Sequence, residues 1–260
     1  MINERDGKKV ESMQSLVNFR DLGGMSTSQS RVTRSHAMYR SGEITSLTPD
    51  DYRDFQTRYG IQRIFDFRGD GERRQRPNMS FPHVKTFAID ISKDSGDHSG
   101  SLESLVSSRE NAENYMYQLY RDFVTTESAR KGYAAFLTEI AQDTQPFIFH
   151  CFAGKDRTGF AAMLLLSLLE VDEEQIMSDY LETNRLRAAA NQQMIEEMAK
   201  NGASLEQQAG VKTMLEVKAD YLYTSLEEIH KQYGDVIGYV EKGLGLSYKL
   251  VEKLQNDYTE

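Results

Sequence analysis

A chain of 260 residues, 39% of them hydrophobic and 27% charged, is long enough to bury a sizeable core without cross-links. Its formal net charge of −9 offers no basic face for general nucleic-acid binding, and its single cysteine excludes an internal disulfide. The longest apolar run, Phe160 to Leu169, falls far short of the roughly 18 residues that a membrane-spanning helix needs. With no secretory segment in the polar start MINERDGKKVES, a reducing cytoplasm is the expected setting and stable membrane insertion is not expected.

In chain order, the first 14 residues read as a frayed polar terminus, and Asn18 to Gly24 as a compact turn in which Gly23 and Gly24 break any regular element. Ala37 to Ser41 is a short strand. LTPDDYRDFQTRYG carries the punctuation of a helix: Thr48 as N-cap, Pro49 in the first turn, Asp51 completing a capping box, and Gly60 at the stop. Tyr52, Phe55 and Tyr59 form its buried face. IQRIFDFR is the next strand, bringing Asp66 and Arg68 to its C-terminal end, where open α/β sheets hold their ligands. The arginines of ERRQRP read either as a solvated helix start or as contacts for further substrate phosphates. VKTFAIDI alternates as a strand and ends near Asp90.

Ser92 to Ser108 is rich in serine and glycine, a long loop that suits a lid. Asn111 to Val124, with Tyr115, Leu119 and Phe123 on one face, is a helix able to cover a cleft, and Ala129 to Gln142 is another. PFIFH is a buried strand, and FAAMLLLSLLE is apolar all round, as an internal helix is. Asp172 caps DEEQIMSDYLETN; separate helices are expected over Arg185 to Lys200 and Val211 to Gln232, and a closing pair over Gly234 to Gly243 and Ser247 to Asn256. The sum is one α/β domain with a central, mostly parallel sheet of four or five strands and helices on both faces. A helical lid is expected at about 92–125 and a helical C-terminal section at about 185–260.

The chemistry concentrates between PFIFH and the internal helix. Cys151 and Arg157 are separated by five residues, Phe152 to Asp156, in a loop that runs straight into Thr158, Gly159 and the helix. The amides of Phe152, Ala153, Gly154, Lys155, Asp156 and Arg157 can turn inward as an anion cradle, reinforced by the positive end of the helix. Arg157 adds a planar fork for two phosphoryl oxygens, and the same field favours a thiolate nucleophile at Cys151. The Thr158 hydroxyl is placed to hydrogen-bond the sulfur. In-line attack on phosphorus through a phosphocysteine follows, with no metal and no cofactor. The five histidines show no ligand spacing. Arg20 and Arg68, with Lys155 and Arg157, can focus positive potential in one cleft of an acidic molecule, which makes Arg20 and Arg68 candidate substrate contacts.

HCFAGKDRTG resembles the signature loop of the cysteine-dependent phosphatases. NFRDLGG at Asn18 to Gly24, YRSG at Tyr39 to Gly42 and DFRGDGERRQRP at Asp66 to Pro77 narrow the resemblance to the PtpB-like family of bacterial tyrosine and lipid phosphatases. Phe67 departs from that pattern, standing where leucine is usual. The resemblance implies a metal-independent phosphatase fold and activity, with phosphotyrosine proteins or peptides and phosphoinositides as substrates. It also makes Asp156 the leading candidate for the general acid, ahead of Asp66 and Asp90, with Asp122 the one aspartate in the window where many relatives carry theirs. Lys155 reads either as a point charge beside the phosphate or as the partner of an acid such as Glu43 or Asp66. Two other functions stay open: a catalytically silent phosphate-binding module, which would lack the cysteine, the arginine or the acid, and a sulfur carrier, which would call for another loop length or a second thiol.

Overall fold

The computed structural model describes residues 13–94 and 106–260. Strands β1 (Arg20–Asp21), β2 (Met38–Ser41), β3 (Arg63–Asp66), β4 (Lys85–Ala88) and β5 (Phe147–His150) form one sheet in the order β1-β2-β5-β3-β4. The four longer strands run parallel, and β1 lies antiparallel on β2, pairing Arg20 with Arg40. The expected mostly parallel sheet is therefore present. The turn expected over Asn18 to Gly24 instead contains β1, because Arg20 and Asp21 find ladder partners on β2 that their own sequence does not announce.

Alternate residues of the central strands enter different cores. Phe147 and Phe149 of β5 join Met38 and Phe65 on one face, while Ile148 joins Tyr39 and Ile64 on the other. A strand covered on both faces has no polar side, and PFIFH reads accordingly. The smaller core is covered by α1 (Pro49–Thr57) and by the segment carrying Met13, Leu16 and Phe19. The larger holds α4 (Glu127–Gln142) and α5 (Asp156–Leu168), in which every residue from Thr158 to Leu166 is buried. Phe67 is wholly buried there, its ring against Tyr133, Phe136 and Phe149, so the extra volume relative to leucine is filled by aromatic neighbours.

Thr48 accepts from the Asp51 amide at 3.2 Å, as an N-cap should, but Asp51 does not complete a capping box. Its carboxylate accepts the Ser15 amide at 2.8 Å and the Ser15 hydroxyl, pinning the preceding chain to α1. Phe55 and Tyr59 are buried, whereas Tyr52 is half-buried and donates its hydroxyl to the Ser80 carbonyl. The arginine-rich stretch forms the short helix α2 (Asp70–Gln75). Most of the serine-rich loop, residues 95–105, and the first 12 residues lie outside the described residues. The expected cleft helix is α3 (Arg109–Thr125).

The C-terminal half departs most from expectation. No break occurs near Asn184: α6 (Glu173–Lys200) is continuous over 28 residues. The stretch expected as one helix from Val211 to Gln232 divides into α7 (Leu205–Leu215) and α8 (Ala219–Tyr233). Side chains of α6 capture the backbone freed at that division: Asn184 accepts from the Val217 amide and donates to its carbonyl, and Asn191 donates to the Leu215 carbonyl. A short turn at Val236–Gly238, a wide helical turn at Tyr239–Gly243 and α9 (Tyr248–Tyr258) close the chain. Among the described residues no helix is long and apolar enough to cross a membrane.

Candidate active site

Cys151 follows directly on β5, and the loop from Cys151 reaches α5 at Asp156. Four consecutive loop carbonyls are tied to groups outside the loop. That of Cys151 meets His150 Nδ1 at 3.0 Å, that of Phe152 accepts the Glu43 amide at 3.0 Å, and that of Ala153 accepts Arg187 Nη1 at 3.0 Å. That of Gly154 accepts Asn18 Nδ2 at 2.8 Å and Arg40 Nη2 at 2.9 Å. With planar trans peptides, carbonyls held outward turn the intervening N–H groups to the concave side. Gly154 is required for this path: its φ is +68°, and a Cβ there would stand 2.1 Å from the Ser41 carbonyl oxygen.

The braces form one network. Asp179 on α6 receives Arg20 Nε and Arg40 Nη1, each at 2.5 Å. Burial raises the Asp179 carboxyl, but the charges and hydrogen bonds of the two arginines outweigh it and hold the group below its ordinary range. Arg40, fully buried, is lowered to about 10 by desolvation and by Arg20, with Asp179 opposing. His150, also fully buried, is lowered chiefly by desolvation and is thus neutral; Nδ1–H then donates to the Cys151 carbonyl, and Nε2 accepts from Asn78 Nδ2 at 3.0 Å.

Arg157 is gripped by Glu72, which accepts from Nη1 at 2.7 Å and Nη2 at 3.0 Å. Glu72 also takes the Gly69 amide at 2.9 Å as the third residue of α2. Burial raises the Glu72 carboxyl, and Arg157 brings it below its ordinary value. Thr158 Oγ1 is buried with no hydrogen-bond partner among the described residues. Beside the loop, a cavity of about 440 Å³ is lined by Glu43, Arg76, Phe152, Arg187 and Met194, among others.

The candidate acids separate by their partners. Asp156 Oδ1 accepts the Tyr120 hydroxyl at 2.9 Å and Lys155 Nζ at 2.7 Å. Asp66 is buried and accepts Arg68 at Nε, Nη2 and the backbone amide; burial raises its carboxyl, but the hydrogen bonds and charge of Arg68 hold it below the ordinary range, so it stays ionised and is unsuited to donating a proton. Asp90 accepts the Ser92 amide, and Asp122 on α3 is buried and accepts Gln118 Nε2.

Arg68 and Arg20 are not free to meet a substrate. The five hydrogens of Arg68 go to Asp66 twice, Glu43, the Arg76 carbonyl and Asn78. Those of Arg20 are used up by Asn18, Asp179 and Thr183. Both are scaffold cations behind the loop. Lys155, 3% exposed, pairs with Asp156 and the Glu216 carbonyl, not with Glu43 or Asp66.

Residues that the sequence reading passed over complete the site. Glu72 sits inside the quoted DFRGDGERRQRP motif, and its position three residues into a helix was the available signal. On α6, Asp179, Thr183, Arg187 and Asn191 recur every fourth residue and are all buried, a polar stripe facing the loop. Dividing that helix near Asn184 hid the period.

The model of the tyrosine phosphatase family matches residues 11–260. A candidate tyrosine-protein phosphatase of Cupriavidus necator is 32% identical over 239 residues, 92% of this chain and 85% of that one. The triple specificity protein phosphatase PtpB of Mycobacterium tuberculosis is 28% identical over 95% of this chain and 98% of its own length, and a tyrosine-protein phosphatase of Nostoc commune is 26% identical over 84% and 73%. With a Cys-x5-Arg loop at the end of the central parallel strand and a family match over nearly its whole length, the chain belongs to the tyrosine phosphatase family and is a phosphoester hydrolase.

Proposed function

We propose that the Cys151 thiolate attacks the phosphorus of a bound phosphomonoester in line, breaking the bond to the leaving oxygen and forming a phosphocysteine that water then hydrolyses. The amides of Phe152 to Arg157 receive the non-bridging oxygens, and Arg157, oriented by Glu72, holds two of them. Asp156 gives its proton to the leaving oxygen in the first step and takes one from water in the second. Thr158 donates its otherwise unused hydroxyl hydrogen to the sulfur as it departs. No metal takes part.

The observation that carries this reading is the outward fixing of four successive loop carbonyls, which supports an anion as the loop's ligand. The substrates are phosphotyrosine in proteins or peptides and, as a second class, phosphoinositides; the name of the mycobacterial relative motivates looking beyond phosphotyrosine. The whole chain acts as one phosphatase domain, with α3 part of the lid. The continuous core from the sheet to α9 supports that unity.

The test is phosphate release by wild type and Cys151→Ser, in EDTA, over phosphotyrosine, phosphoserine and phosphothreonine peptides and mono- to trisphosphorylated phosphoinositides. Turnover by wild type that is indifferent to EDTA and abolished in the serine variant is expected. Metal-dependent turnover surviving in Cys151→Ser overturns the mechanism, and hydrolysis restricted to phosphotyrosine removes the lipid class.

A further inference from the structure

Asp156 is held from one side only. Both of its hydrogen bonds, from the Tyr120 hydroxyl at 2.9 Å and from Lys155 Nζ at 2.7 Å, fall on Oδ1, and Oδ2 has no hydrogen-bond partner among the described residues. Tyr120 stands on α3, and its oxygen lies 2.6 Å from the hydroxyl of Tyr180 on α6. A phenol has one hydrogen to give. That of Tyr120 goes to the carboxylate, so that of Tyr180 goes to Tyr120, and the donors run in one direction from α6 through α3 to Asp156.

The rings cannot drift. Tyr120 is fully buried and packs edge-on against Phe123 and beside Tyr221; Tyr180 is buried and lies so close to Gly159 on α5 that a Cβ there would meet its ring at 3.1 Å. Burial, together with the charge of Asp156, pushes both phenols well above their ordinary range, so they remain donors. Phenylalanine would fill either place equally well. A hydroxyl in such a core is costly unless its bond is used, and among the described residues the one hydroxyl bond that leaves the pair ends on Asp156.

We propose that Tyr120, backed by Tyr180 and aided by Lys155, is the positioning residue for the general acid: it saturates Oδ1, so that the transferable proton resides on Oδ2. Because Tyr120 belongs to α3, the aim of the acid then depends on how that helix is seated over the loop. The inference rests on the reading of Asp156 as the acid.

The experiment compares kcat/KM, which reports steps through P–O cleavage, for wild type, Tyr120→Phe, Asp156→Asn and the double variant across aryl phosphates graded from 2,4-dinitrophenyl to phenyl. Asp156→Asn should show a loss that deepens as the leaving group becomes more basic. Tyr120→Phe should lose about tenfold with phenyl phosphate, a loss that shrinks toward dinitrophenyl phosphate, and should cost nothing further on the Asp156→Asn background. Tyr180→Phe, one step removed, should show the same pattern more weakly. If Asp156→Asn depends on the leaving group and Tyr120→Phe does not, the positioning role falls while the acid stands. If Asp156→Asn is itself independent of the leaving group, both fall. Equal losses from Tyr120→Phe on wild type and on Asp156→Asn mark a merely structural hydroxyl and overturn the proposal.

Discussion

Glu72 holds Arg157 through both terminal nitrogens while accepting the Gly69 amide on the same oxygen that takes Arg157 Nη1. The guanidinium plane is thereby fixed by the first turn of α2, an element remote in sequence from the loop. A charged fork aligned before substrate arrives loses no freedom on binding. Glu72→Gln keeps the shape and removes the charge and one acceptor. We expect kcat/KM to fall by about 10²-fold, with the thermal midpoint within a few degrees of wild type. A change under twofold in phosphatase assays would show that Arg157 needs no such partner.

Gly154 tests the path of the loop. At a φ of +68°, with Ser41 oxygen 2.1 Å from any Cβ, alanine must either displace the end of β2 or flatten the loop. Gly154→Ala should abolish measurable turnover and weaken phosphate binding, read by calorimetry with inorganic phosphate. It should also cost about 1–3 kcal/mol in urea unfolding.

Asp179 is the common anion of Arg20 and Arg40. Asp179→Asn leaves the buried Arg40 and the part-buried Arg20 with no full charge to answer them. Breaking a buried pair in this way costs about 3–5 kcal/mol. The loop carbonyl held by Arg40 and the Asn18 side chain held by Arg20 should loosen with it. Urea unfolding measures the first effect and kcat/KM the second, and both should fall together; a stable, fully active variant contradicts the network.

Stability should depend on pH in a defined direction. The native carboxyls of Asp66, Glu72 and Asp179 lie below their ordinary values of 3.8, 4.5 and 3.8, because arginine pairing outweighs the upward push of burial. The unfolded chain therefore takes up protons at higher pH than the native one. The stabilisation is complete above the ordinary carboxylate range and is lost as pH falls through it toward the lowered native values. His150 acts in the same sense: native protonation is depressed by burial from 6.5, so the unfolded form gains first as pH drops below that value. Urea midpoints should be level above about pH 7 and decline through pH 6 to 3. A midpoint that rises on acidification would reverse the sign assigned to these groups.

The sequence by itself determined what depends on local pattern and on a short loop. Cys151 to Gly159 lies within one strand, turn and helix, so the proposed nucleophile Cys151, Arg157 and Thr158 could be read together, as could β5 and α5 from their unbroken apolar runs. Tertiary structure decided which charges face the substrate. Arg20, Arg68 and Lys155 have the charge of anion contacts, but each is occupied by a partner brought from elsewhere: Asp179, 159 positions beyond Arg20; Glu43, 25 before Arg68; and for Lys155 the neighbouring Asp156 together with the Glu216 carbonyl, 61 positions on. The same holds for Tyr120 and Asp156, 36 positions apart, and for Glu72 and Arg157, 85 apart. A side chain's charge is a local property. Whether that charge is free to act is set by the groups that folding packs against it, and many of those lie tens of positions away along the chain.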